Sequence, residues 1–237
     1  MHINYSEYTS IGGRRKNEDM VQIVSYPASV VALVADGLGG HGDGDIASRM
    51  TVHAISEAIC DGAVSKLLME RAIRLANEKI LLRQADGSDM KTTIAAVWFN
   101  DEQACAAHVG DTRIYQFRDG GIVYQSLDHS VSQLAVALGE IRQEEIRNHC
   151  DRNRLTRALG SRVDVKIDTE MLEVKPGDAF LLCSDGFWEL VWEEEMLMDL
   201  QASVNAEQWL SAMRRRVEAR AKENSDNHTA AVLIVQR

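Results

Sequence analysis

Proline is nearly absent, with 2 in 237 residues against 16 glycines. That scarcity argues against a proline-rich linker or a disordered tail. No apolar run approaches the roughly 18–20 residues that a membrane span needs. The first residues, MHINYSEYTSIGGRRKNED, contain no apolar stretch of the secretory kind, so no signal peptide is expected. The four cysteines, Cys60, Cys105, Cys150 and Cys183, never form C-x-x-C. Neither a zinc site nor a redox pair is expected from them, and a reducing cytoplasm is the simplest setting. Basic residues are in deficit: 26 Lys+Arg against 36 Asp+Glu leave a formal charge of −10. Nucleic acid and an anionic membrane surface are therefore disfavoured as partners, although a local basic pocket stays compatible with this balance.

Two phosphate-binding devices are also missing. Glycines at 37, 39, 40, 42 and 44 precede a helical stretch, as phosphate-cradling loops do. No lysine follows in the G-x-x-x-x-G-K-[ST] pattern, which argues against a P-loop NTPase. His149-Cys150 imitates the start of a cysteine-phosphatase loop, but Thr156 stands where the arginine is required and Arg157 comes one residue late. The intervening DRNRL has no glycine to let backbone N–H groups wrap an anion, so Cys150 is rejected as a nucleophile.

What remains is globular: 45% hydrophobic and 26% charged residues, in a length that one domain over residues 1–237 accommodates. Strands are expected over 3–9, 20–24 and 29–35, the last a continuous apolar run ending at Asp36-Gly37. Helices follow over 45–60, with Ile46, Met50, His53, Ala54 and Ile55 near one face, and over 64–83, with Leu67, Leu68, Ala72, Leu75, Ala76 and Ile80 aligned likewise. A second strand block covers 92–99, 103–109, 112–117 and 122–127, with Arg118-Asp119-Gly120-Gly121 as a hairpin turn. Residues 130–149 read as helix, 167–174 and 179–184 as strands, 193–200 and 205–222 as helices, and 229–236 as a last strand. Asn205-x-x-Gln208 marks the start of the second of those helices. Strands and helices come in blocks, which points to an α+β fold with largely antiparallel sheets.

Four aspartates share one setting. Asp36, Asp111, Asp185 and Asp226 each stand at one end of an apolar strand, where side chains project into loops. Aligned strands would make these carboxylates converge, and converging carboxylates call for a cation. Hard oxygen donors without cysteine or histidine pairs suit Mg²⁺ or Mn²⁺. Taken singly, each Asp-Gly is ordinary turn chemistry. Arg14 and Arg15 with Glu18 and Asp19 form a charged cluster that reads either as a phosphate clamp or as a solvated loop. His108 and His129 read as hydrogen-bonded structural residues.

These residues together resemble bacterial metal-dependent protein serine/threonine phosphatases of the type-2C (PPM) family. The motifs run in order through nearly the whole chain: Gly13-Arg14-x-x-Asn17-Glu18-Asp19; Val34 to His41 with Gly44-Asp45-x-Ala47-Ser48; Thr92-Thr93; Ala107 to Tyr115; Asp128-His129-Ser130; Arg152 to Gly160; Pro176-Gly177-Asp178 leading to Leu181 to Gly186; and Asp226-Asn227-x-Thr229. Phe187-Trp188-Glu189, where Leu-x-Asp is commoner, resembles phosphatases linked to type VI secretion.

The resemblance implies a central antiparallel β-sandwich flanked by helices on both sides, in α-β-β-α layers, with a flap at about 131–166. It implies two or three Mn²⁺ or Mg²⁺ ions per chain. Asp36 would bridge two of them. The Gly37 carbonyl would join one, Asp185 and Asp226 the other, and Asp111 with Asp185 a third. Glu18 and Asp19 match positions that hold metal-bound waters, and Arg14 matches the arginine that binds the substrate phosphate. The reaction implied is hydrolysis of phosphoserine and phosphothreonine in proteins, opposing a Ser/Thr kinase, by a monomeric, cytoplasmic enzyme with no nucleic-acid or membrane partner. Leu38 replaces the histidine of eukaryotic members, so the leaving-group proton falls to His41 or a water. Lys91, Asp45 and Thr112 also depart from the usual Gly, Glu and Ser. A metal phosphohydrolase of small phosphoesters and a phosphoprotein-binding module without turnover are the alternative readings.

Overall fold

The computed structural model describes residues 2–38, 43–59, 64–84, 87–100 and 102–236. Its strands are β1 (His2–Ser10), β2 (Met20–Ser25), β3 (Val30–Ala35), β4 (Gly37–Leu38), β5 (Lys91–Thr92), β6 (Ile94–Phe99), β7 (Gln103–Val109), β8 (Arg113–Arg118), β9 (Gly121–Gln125), β10 (Asp168–Glu173), β11 (Ala179–Cys183) and β12 (His228–Gln236). The helices are α1 (Gly44–Ala58), α2 (Lys66–Gln84), α3 (Val131–Ala137), α4 (Asp185–Trp188), α5 (Glu193–Gln201) and α6 (Ala206–Arg220). One five-stranded sheet runs β1-β12-β11-β8-β9 and a second runs β10-β7-β6-β3-β2, all neighbours antiparallel.

The apolar runs explain the layering. Ala32, Val34, Val97 and Phe99 of one sheet meet Ile114, Phe180, Leu182 and Leu233 of the other. Phe99 and Phe180 make an edge-to-face contact across this middle layer, with ring centroids 4.7 Å apart. The opposite face of the second sheet, including Val31 and Leu33, packs under α1 and α2. The opposite face of the first, including Tyr115 and Leu181, packs under α4 to α6. Four layers, α-β-β-α, result, and the central strands are buried on both faces.

Strand and helix positions agree with the sequence reading to within a few residues, and the corrections are local. The helix expected over 130–149 is α3 followed by a separate 3₁₀ helix at Gln143–Asn148. Gly139, at φ +74°, stands between the two. The helical turn α4 and the two-residue pair β4–β5 were not anticipated. The expected faces of the two long helices hold in part: Ala54 and Ile55 of α1 and Ala72, Ala76 and Ile80 of α2 are buried as expected, and the other positions are shifted. In α1, Ile46 and His53 face outward, while Ala47, Ser48, Thr51 and Val52 are buried. In α2, Leu67, Leu68 and Leu75 are exposed, while Met69, Ile73 and Asn77 face the core. Asn205 caps α6 through Gln208 N at 2.9 Å, but Gln208 reaches back to Val204 N and not to the cap residue.

Register positions the site. Val34 pairs with Ala95, Ile94 with Val109, Cys183 with both Arg113 and Ala230, and Ser10 with His228. The segments following β3, β7 and β11, the one before β12 and the β1–β2 loop therefore all open at the same end of the sandwich. Among the described residues, no helix is long and apolar enough to cross a membrane.

Candidate active site

At that end lies a cavity of about 420 Å³ lined by Arg14, Arg15, Lys16, Glu18, Asp36, Gly37, Leu38, Asp111, Asn153, Leu155, Asp185, Asp226 and Asn227. Of the residues singled out in the sequence, Arg14, Glu18, Asp36, Gly37, Asp111, Asp185 and Asp226 share this wall. Asp19 lies beneath it, buried, and accepts a hydrogen bond from Ser184 Oγ at 2.7 Å. His41 lies outside the described residues.

Each carboxylate is held by its own backbone. The Asp36 amide donates to Thr93 Oγ1 at 3.0 Å, and its carbonyl accepts from Thr92 Oγ1 at 2.7 Å and from Thr93 N at 2.8 Å. Thr92-Thr93 thus clamps the exit of β3. Gly37 donates its N–H to Glu18 O at 3.1 Å, and a Cβ on it would stand 2.2 Å from Gly44 O. Only glycine permits that approach. Asp111 follows Gly110, at φ +107°, and its carbonyl accepts from Trp188 Nε1 at 2.9 Å. Asp185 opens α4, against which Asn227 O packs so closely that a Cβ on Gly186 would lie 2.1 Å from it. Asp226 accepts from Arg14 at 2.7 Å.

Asn227 and Trp188 act as supports that the residue-by-residue reading did not single out. Asn227 donates to Ile11 O and Lys16 O and accepts from Glu18 N, so it shapes the loop that carries Arg14. The signal was its place between Asp226 and a buried strand, since a buried amide seeks three or four partners. Trp188 lies under the guanidinium of Arg113, 3.5 Å from the ring centroid, and Arg113 makes two 2.8 Å bonds to Asp128.

The electrostatics are those of crowded acids. Burial, and then the neighbouring Asp19, Asp185, Asp111 and Asp226, push the Asp36 carboxyl well above its usual range. Asp185 is raised in the same way by burial and then by Asp111 and Asp226. Burial and then Asp128 raise Asp111 to about 7. Burial raises Asp19 to about 6 and also raises Glu18. Asp19 Oδ1 and Asp185 Oδ1 are buried without a hydrogen-bond partner among the described residues.

A second cluster, His108, His129 and Asp168, lies beside β7. The two rings stack at 4.5 Å. Gly110 N–H donates to His129 Nδ1 at 3.1 Å, which places the ring proton on Nε2, facing Asp168 Oδ2 at 3.2 Å. Arg157, also bonded to Asp168, stands 3.0 Å from that same Nε2. A guanidinium in this position opposes a metal ion, so the cluster is a hydrogen-bonded brace, as the sequence reading held for both histidines. Burial, with His108 adding to it, lowers His129 to about 4. The unfolded chain takes up this proton near pH 6.5, the folded one only near 4, so His129 costs stability as pH falls through that window. Thermal melts should therefore show wild type losing ground to His129→Gln between about pH 6.5 and 4. A pH-independent difference between the two would remove this assignment.

An α-β-β-α sandwich does not fix an activity by itself, but a carboxylate-lined cleft at one end of it defines the class of proteins built to hold divalent cations. Residues 10–233 match the family profile described as Protein phosphatase 2C, and the chain belongs to that family. It is 31% identical over 235 residues to the serine/threonine phosphatase stp of Listeria monocytogenes, covering 95% of this chain and 88% of that one. The catalytic domain of serine/threonine protein phosphatase PstP, solved in complex with two manganese ions, overlays with a TM-score of 0.84 at 28% identity, covering 99% of both chains. PppA, a regulatory component of type VI secretion in Pseudomonas aeruginosa, overlays at 0.82 with 27% identity, covering 99% of this chain and 98% of that one. The fold does not single out the secretion-linked relative.

Proposed function

We propose that this chain hydrolyses phosphoserine and phosphothreonine in proteins with the help of bound Mn²⁺ or Mg²⁺, opposing a Ser/Thr kinase in the cytoplasm. The observation that carries this reading is the gathering of Asp36, Asp111, Asp185 and Asp226 in one cleft with Arg14 at its mouth. The donor set fits a hard divalent cation. It is all oxygen, its carboxylates raise one another's proton affinity, and Asp185 offers a buried oxygen with no partner among the described residues. Asp36, Asp111, Asp185, Asp226 and the Gly37 carbonyl would hold two or three ions directly, and Glu18 and Asp19 would hold them through water. When bound, the ions supply an acidified water as nucleophile and draw charge from the phosphoryl oxygens.

The chain's own residues do the rest. Arg14 is half exposed and reaches Asp226 through one nitrogen, which leaves the remainder of its planar fork for phosphate oxygens. The segment 131–166 serves as the flap. Arg147 pairs with Glu193 and Arg152 with Glu189, both at 2.6 Å, and these ties set Asn153 and Leu155 on the cavity wall. The deciding experiment is phosphate release from a phosphothreonine peptide with Mn²⁺, then with EDTA. Release that EDTA abolishes is expected; none from folded, metal-binding protein overturns the reading. Arg14→Ala should lower kcat/KM about 10²-fold, the loss typical for one transition-state donor. Arg14→Lys should recover only part, because an ammonium lacks the fork. Unchanged kcat/KM in Arg14→Ala would remove Arg14 from phosphate binding.

A further inference from the structure

Beside the main cleft a second cavity, of about 290 Å³, shares Arg14, Asn153, Asp185 and Asp226 with it. Its outer wall comes from Arg152, Glu189, Leu190, Arg220 and the turn around Lys222. Among the described residues, Leu190 is the one large apolar side chain lining it. A cavity of this size and polarity suits one polar side chain and not an apolar anchor.

The charges on its wall are mostly spoken for. Arg152 is bound to Glu189 at 2.6 Å. Arg220 is bound to Glu195, outside the cavity, at 2.6 Å, and to Leu190 O at 2.7 Å. Arg14 is bound to Asp226. Asp185 belongs to the acidic cluster of the main cleft. Lys222 is different: it is exposed and has no ion pair among the described residues. On a chain of formal charge −10, an unopposed cation beside the cleft favours an anionic visitor.

We propose that this side cavity is a substrate subsite that takes an acidic side chain close in sequence to the phosphorylated serine or threonine, with Lys222 as the residue that reads it. The inference rests on the phosphatase reading and narrows its substrate class to phosphoproteins with Asp or Glu beside the target residue. Extended peptide advances about 3.3 Å per residue, so with the phosphate in the main cleft a neighbour one to three positions away reaches the adjoining cavity.

The test is a set of phosphothreonine peptides in an alanine–glycine background. One Asp, or one Lys, is placed in turn at each of the three positions on either side. Wild type should prefer Asp over Lys in kcat/KM at one or two positions on a single side, by about three- to fivefold, as a rim ion pair allows. Lys222→Glu should invert that ratio at the same positions, and 0.5 M salt should flatten it in wild type, as screening over about 4–5 Å requires. Each enzyme's paired peptides are compared with one another, so a general loss of folded protein cancels. No acidic preference at any position, or one that survives Lys222→Glu, overturns the subsite while leaving the phosphatase reading standing. No release even from the alanine-flanked peptide takes both down.

Discussion

Asp36→Asn and Asp185→Asn should each lower turnover of a phosphothreonine peptide about 10³-fold or more without unfolding the chain. The activity loss follows from removing a charged donor from the cation site, where transition-state stabilisation of several kcal/mol is at stake. Retention of the fold follows from the crowding described above. With no ion bound, Asp36 is raised by burial and by four neighbouring carboxylates, so deleting its charge relieves repulsion. In EDTA, each variant should melt at or above the wild-type temperature. Saturating Mn²⁺ should raise wild type by about 5–10 °C, given about 2.7 kcal/mol at a hundredfold excess over Kd. The variants should lose most of that shift. Full activity in either one, or a Mn²⁺ shift equal to wild type, would sink the assignment of that carboxylate.

The second large effect is on stability. Arg113 and Asp128 are 3% and 2% exposed and joined by two 2.8 Å bonds, with Trp188 stacked on the guanidinium and Glu193 Oε1 3.5 Å away. Desolvating such a pair is costly, and removing one partner strands the other's charge. Asp128→Asn should therefore destabilise the fold by about 3–5 kcal/mol in denaturant titration. Replacing both, as Arg113→Met with Asp128→Leu, should cost less than the single change, because no buried charge is then unpaired. A single-variant loss under about 1 kcal/mol would show that water reaches the pair, as at a surface ion pair.

The sandwich was legible because most of its strands are apolar runs, and others such as β1 alternating ones, of five to nine residues punctuated by turn chemistry. The Asp119-Gly120 turn is a case in point, with φ of 51° and 78° at the two residues. The phase of α1 was legible only in its second half, at Ala54 and Ile55. That helix lies against β3 to β5 and the Glu18 loop through Gly44, Ala47, Ser48 and Thr51. Close approach selects small residues there, and hydrophobicity does not distinguish them from surface ones. The same limit applies to α2, where Ala72, Ala76 and Ile80 are buried as expected but the leucines at 67, 68 and 75 stay exposed while Asn77 is buried to bind Arg162 O and Gly160 N. At the cleft, the acidic residues stood out because each follows or precedes a strand. Their supports did not, since Asn227 and Trp188 work through hydrogen bonds to backbone atoms distant in sequence, three of them at Asn227. That information exists only once the register is set.

The carboxylates also differ in which sheet carries them. Asp36 follows β3, in one sheet, while Asp185 and Asp226 flank β11 and β12, in the other. Between the sheets lies a layer of interdigitated apolar side chains, and among the described residues directional ties cross from one sheet to the other only around it, from Gln116 and Arg118 to Glu173 O, from Ile23 N to Glu7 and, at the cleft end, from Ser184 Oγ to Asp19. The cleft is thus a vernier for the whole sandwich: a slip of one sheet along the other too small to expose any core residue would already alter the gap between Asp36 and Asp185. Substitutions deep in the middle layer, far from any phosphate, should register at the cleft before they register in the melting temperature.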